Sequence, residues 1–144
     1  MKITGAVGIL GQAPDSNAAR YPAEAMGLVI GSAVVELVTR GAHTGAERRI
    51  TITAHEMGDG LFLVGSNWGR QTQPAWFHNI RADAAIEVLT GGLSHPMSGR
   101  IAAGEERDRL LQIGIRNFPR YEELLRRAAP REVPIVVLEP VARS

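Results

Sequence analysis

Residues 34–65 read VVELVTRGAHTGAERRITITAHEMGDGLFLVG, and this stretch decides the fold. Residues 34–40 are short and rich in β-branched side chains, the composition of a strand. Gly41-Ala42-His43-Thr44-Gly45 then turns the chain, with a glycine at each end. Residues 48–55 (RRITITAH) alternate, Ile50 and Ile52 on one face and Thr51 and Thr53 on the other, which predicts a half-buried strand. Residues 57–60 (MGDG) form a hairpin turn, and residues 61–65 return as a further strand. The stretch therefore predicts a three-stranded antiparallel meander.

Downstream, residues 65–83 (GSNWGRQTQPAWFHNIRAD) hold both tryptophans, Trp68 in a glycine loop and Trp76 on a short helix that Pro74 opens from its first position. Trp76, Ile80 and Asn79 share one side of that helix, and His78 and Arg81 point elsewhere. Residues 85–90 (AIEVLT) read as a strand, Gly91-Gly92 as a turn, and residues 95–102 as an antiparallel return. Residues 104–116 predict the clearest helix. Glu105 and Glu106 suit the positive end of its dipole, and Leu110, Leu111 and Ile113 form its apolar side. Asn117-Phe118-Pro119 stops it; residues 121–128 predict another helix and residues 133–138 a last strand, with Pro134 at an edge or a strand start. About six strands and three short helices, joined mostly by hairpin-length connections, predict a mainly β fold: a small antiparallel barrel with helices packed outside.

The chain has 144 residues, enough for one domain with a sizeable core. Residues 1–33 read as a variable N-terminal segment with a turn at 14–17 and a helical turn or two at 18–26; the barrel is expected over 34–144. A net charge of +1 exerts no global pull on nucleic acid, and none is expected as a partner. Cysteine is absent, which removes disulfides, thiolate metal sites and a cysteine nucleophile. His55, His78 and His95 lack a metal-ligand spacing, so no metal site is expected. No apolar run is long enough to span a bilayer, and the N-terminus is a poor secretory signal. A cytoplasmic protein is the expectation, with peripheral membrane contact through the first 33 residues left open.

On their own chemistry, the glycine loop at 65–69 brings backbone N–H groups near a ligand, and a tryptophan helix behind it offers an apolar wall. Trp76 reads as core before it reads as ligand wall, and the two roles are compatible. Asn79 either caps backbone or bonds into the pocket. Arg48 suits bidentate contact with an anion, or stands solvated at a strand end. Arg49 points to the opposite face and reads as a surface charge. Trp68 is hard to explain as core and suggests contact with a flat ligand or a partner subunit. Tyr121 reads as a proton or hydrogen-bond donor to a bound molecule, or as a helix tyrosine with a wet hydroxyl.

Over roughly residues 34–140 the chain resembles the deazaflavin-dependent nitroreductase and quinone-reductase family, a branch of the FMN-binding split β-barrels. The resemblance rests on the turn 41–45 followed by Arg48, on Ser66-Asn67-Trp68-Gly69 followed by Pro74-Ala75-Trp76-Phe77-His78-Asn79, on Gly104-Glu105-Glu106-Arg107, and on Phe118-Pro119-Arg120-Tyr121 with Arg131 and the Pro134 to Pro140 ending. It implies a split barrel and an oxidoreductase in which reduced coenzyme F420, an 8-hydroxy-5-deazaflavin, delivers hydride to quinone-like, nitroaromatic or other electron-poor small molecules. It further implies that His43, Thr44, Gly45 and Arg48 face the cofactor's anionic tail, and that Ser66, Asn67, Trp68, Gly69, Trp76 and Asn79 hold its ring and linker. Phe118 and Tyr121 match the acceptor side, Tyr121 being the expected catalytic residue. Related split barrels commonly dimerise, which makes a homodimer an expectation. The chain departs from the family pattern at Ala42 and His43, where cations are usual, and at Trp68, where a small residue is usual. The competing readings are an FMN-dependent reductase and a non-catalytic barrel that binds a fatty acid or a haem-like ligand.

Overall fold

A computed structural model describes residues 32–57 and 60–141. Six strands, β1 (Ser32–Arg40), β2 (Glu47–Met57), β3 (Gly60–Val64), β4 (Ala85–Thr90), β5 (Leu93–Ile101) and β6 (Ile135–Pro140), close into a barrel in the order β1-β2-β3-β6-β5-β4. Every pairing is antiparallel. Closure leaves no free edge along the paired stretches, which settles the exposed-strand problem of a small sheet. Among the described residues, three α-helices, α1 (Ala75–Ala82), α2 (Gly104–Asn117) and α3 (Tyr121–Ala128), pack outside, and a 3-10 turn spans Asn67–Gly69.

The apolar residues divide between two cores. Leu61 and Leu63 of β3 and Val136 and Leu138 of β6 join the barrel interior together with Trp76, Phe77 and Ile80 of α1. The alternate residues, Phe62, Val64, Ile135 and Val137, join Leu110 of α2 and Tyr121 and Leu124 of α3. Both strands are thus covered on two faces, which is why they read as continuous apolar runs. On the other flank, Gly99 lets α1 settle on β5: a Cβ there would stand 2.7 Å from Ile80 Cγ2.

Most expected elements appear, with shifted ends. β1 begins at Ser32 and α2 continues to Asn117. Pro74 is the N-cap of α1, one position before its first helical residue, and its carbonyl accepts the N–H of Phe77 at 3.0 Å. Pro134 lies just before β6, where its carbonyl accepts the Gly65 N–H at 2.8 Å. The expected turn at 57–60 joins β2 to β3 with Met57 opposite Gly60, residues 58 and 59 lying outside the described residues. The segment read at 1–31 also lies outside them.

β2 departs from its expected pattern. Its burial changes along its length rather than from face to face: Glu47 to Thr51 are all exposed, Ile50 at 36%, whereas Ala54 and His55 are completely buried. The register explains this. β3 pairs only with His55 to Met57, so the outer part of β2 is held by β1 alone and projects as a two-stranded ribbon.

Candidate functional site

A cavity of about 420 Å³ opens where four segments converge. Val34 of β1 and Ile50 to Thr53 of β2 form its floor. Ser66, Asn67 and Trp68 form one side, and Pro74, Ala75 and Trp76 the side behind them. Phe118, Tyr121 and Leu124, from the junction of α2 and α3, face them. The volume falls in the range of small-molecule sites, and the lining is mostly apolar with a few polar groups.

The side carrying Trp68 is built on unusual backbone. Asn67 (φ 47°) and Trp68 (φ 57°) are both left-handed, and Gly69 (φ 79°) continues the turn. Non-glycine residues adopt this conformation at a cost, and it collects at functional loops. The turn leaves Trp68 58% exposed at the cavity mouth, whereas Trp76, on the side behind it, is only 8% exposed. Gly69 is required twice over: its φ is positive, and a Cβ would stand 2.7 Å from Arg127 Cβ. Arg131 clamps the loop from α3's far end. Its guanidinium donates to the carbonyls of Arg70 (2.9 Å), Gly65 (3.1 Å) and Ser66 (2.9 Å) and to Gln73 Oε1 (2.6 Å).

The turn at 41–45 is anchored to α1. Asn79 accepts the Ala42 N–H on Oδ1 at 2.9 Å and donates through Nδ2 to Thr39 Oγ1 at 3.1 Å. Of the two readings of Asn79, backbone capping is the observed contact. Thr44 Oγ1 accepts the Ala46 N–H at 3.1 Å, and Gly45 closes the turn with its N–H on the Gly41 carbonyl at 2.8 Å. His43, Thr44, Gly45 and Arg48 are exposed and lie outside the cavity lining, as do Gly69 and Asn79. Arg48 nonetheless shares its strand face with Ile50 and Ile52, which do line the cavity. It makes no ion pair among the described residues, whereas Arg49 pairs with Glu47 (2.9 Å) and Glu36 (3.4 Å). Ser66, Asn67, Trp68, Trp76, Phe118 and Tyr121 are brought together on one cavity.

Behind Tyr121 lies a polar chain that the sequence reading did not assign. Tyr121 is 5% exposed, with its ring set edge-on to Phe118 at 4.8 Å. Its hydroxyl lies 2.9 Å from His55 Nε2, and Asn117 Nδ2 lies 3.1 Å from His55 Nδ1. His55 is fully buried and stacks on Phe62 at 4.9 Å. Desolvation lowers its pKa to about 4, so the imidazole is neutral near pH 7. Burial likewise pushes the Tyr121 phenol above its ordinary range, so it stays protonated. The one available signal was the alternation of β2, which puts His55 on the same face as Thr51 and Thr53. Among the described residues, no cluster of His, Asp or Glu is arranged to hold a metal, and no helix is long and apolar enough to cross a membrane.

Comparison with known proteins places the chain in a family. The family described as F420H(2)-dependent quinone reductase matches residues 16–140. An F420H(2)-dependent quinone reductase of Mycobacterium tuberculosis (strain H37Rv) is 31% identical over 105 residues, covering 71% of this chain and 70% of the relative. A solved F420-H2 dependent reductase (FDR-A) superposes with a TM-score of 0.67 at 26% identity, covering 74% of this chain and 93% of its own. A further structure, described as a domain-swapped dimer, has the same TM-score and identity and covers 74% of this chain and 79% of its own. The split barrel, the turn that presents Arg48 and the indole-walled cavity are thus those of a chain that belongs to the F420H(2)-dependent quinone reductase family.

Proposed function

We propose that the cavity is where reduced F420 and a quinone meet, with Arg48 at the anionic end of the cofactor and Tyr121 at the acceptor. The convergence of Ser66, Asn67, Trp68, Trp76, Phe118 and Tyr121 on one cavity carries this reading. The residues fit a group with a flat ring and an anionic tail. Two indoles flank the cavity, and an arginine without an acidic partner among the described residues stands beyond it on the same strand face. When bound, reduced F420 supplies a hydride. Trp68 and Trp76 provide apolar surface that positions flat rings and excludes water. Arg48 holds an anionic oxygen pair through its planar fork. The turn at 41–45, fixed through Asn79, adds the Thr44 hydroxyl and the exposed His43 to the same anionic end. Tyr121 donates a hydrogen bond to the acceptor oxygen on which negative charge develops.

The test is titration of the purified protein with F420, followed by the absorbance decay of reduced F420 on adding menadione. Turnover is expected; binding without oxidation would leave a carrier on the same barrel. Arg48→Ala is expected to weaken F420 binding about tenfold or more, the scale of one charge-assisted contact. An unchanged dissociation constant would remove Arg48 from the site. A homodimer belongs to the same reading. The domain-swapped neighbour shares the fold, and the projecting half of β2 leaves Ile50 exposed. Light scattering reads the assembly state directly.

A further inference from the structure

We infer that Asn117 and His55 form a relay that sets the direction of the Tyr121 hydroxyl: they hold its oxygen from behind and leave its proton to the cavity. The inference rests on the proposed place of Tyr121 beside the acceptor. It follows from counting protons along the chain Asn117–His55–Tyr121. The Asn117 amide nitrogen is a donor only, so the His55 Nδ1 that it meets at 3.1 Å is an acceptor and carries no hydrogen. A neutral imidazole then holds its single proton on Nε2. That N–H donates to the Tyr121 oxygen at 2.9 Å. Among the described residues the tyrosine's own O–H is left without an acceptor, on a side chain 5% exposed that lines the cavity. Buried hydroxyl protons find acceptors, and here the acceptor is the ligand.

The surroundings keep the relay in this state. His55 is covered by Phe62, and burial holds its pKa near 4, so the ring stays neutral and its two nitrogens keep distinct roles. Its N–H also supports the phenol oxygen as the Tyr121 proton is drawn towards an oxyanion, so the hydrogen bond to the ligand strengthens as charge develops. Neither Asn117 nor His55 lines the cavity, so both are positioning residues. The opposite arrangement, with the proton on Nδ1, makes Nε2 an acceptor and turns the Tyr121 hydrogen inward, away from the acceptor.

The tautomer is measurable without any ligand. In the full-length 15N-labelled protein, with histidines assigned through the backbone, long-range 1H–15N correlation spectra are expected to show His55 protonated on Nε2 and bare on Nδ1. Protonation on Nδ1 overturns the relay whatever the kinetics. A second arm reverses the polarity: the Asn117→Asp carboxylate accepts from Nδ1–H in alkaline buffer. His55 is then expected to switch tautomer, and kcat with menadione to fall on the order of 100-fold, to the level of Tyr121→Phe, with KM nearly unchanged. A switched tautomer with unchanged kcat overturns the directing role. The two readings separate cleanly. If Tyr121→Phe keeps full kcat while wild-type His55 has its proton on Nε2, it is the acceptor-side role of Tyr121 that fails and not the relay's geometry.

Discussion

Arg131→Ala is expected to lower unfolding stability by about 3 kcal/mol or more and to abolish tight F420 binding. The guanidinium satisfies three backbone carbonyls and one side-chain amide spread over residues 65–73. Hydrogen bonds from a charged donor contribute roughly 1.5–3 kcal/mol each, and the four are not additive because they share one group. No acidic residue stands among these acceptors, and partial burial pulls the Arg131 pKa below its ordinary value. Removal strands polar groups in the loop that carries Trp68, so the damage reaches the cavity mouth as well as the fold. Arg131→Lys should recover little, because an ammonium lacks the planar fork that reaches separated carbonyls. Urea unfolding gives the first quantity and F420 titration the second. A variant with wild-type stability and affinity would mean that the loop holds itself.

The second large effect is a dependence of stability on pH that belongs to one buried histidine. The pKa of His55 is 6.5 in the ordinary state and about 4 in the folded protein, lowered by burial with no charged neighbour involved. Between those values the unfolded chain binds the proton and the folded chain does not, so stability rises with pH across this window. The contribution is fully present above about pH 6.5, and roughly 3 kcal/mol is lost by pH 4, at 1.36 kcal/mol per pH unit. Urea midpoints between pH 7 and pH 4 should fall more steeply for wild type than for His55→Gln, by about that amount. An NMR titration of His55 that moves near pH 6.5 would show that the ring is wet and the effect absent.

The residues that could be read from sequence are those whose signals are local. Residues 85–90 and 121–128 appear as strand and helix at those same positions, Ala85–Thr90 and Tyr121–Ala128, because Gly91 follows one and Pro119 and Pro130 flank the other. The cavity wall at 66–68 and Trp76 was legible because glycines, a proline and two indoles fall within a dozen residues. The contacts of Arg131 and His55 were not, because their partners lie far along the chain: Tyr121 is 66 residues from His55, and Gly65 is 66 from Arg131. A histidine in an alternating strand has no local mark that distinguishes it from a solvated one. The alternation of residues 48–55 misled for a related reason. Period two reports which face a side chain takes, but not whether the sheet continues to cover it. The outer half of β2 runs past its second neighbour, and only the register reveals that.

The left-handed backbone at Asn67, Trp68 and Gly69 has a consequence for how this wall fails. The indole's direction follows from the sign of φ at its own residue, and the path between positive and negative φ crosses a sterically forbidden region. Such a turn does not drift by degrees. A substitution that relaxes it swings the ring to the opposite side, so the molecule either keeps its outer aromatic panel whole or loses it in one step.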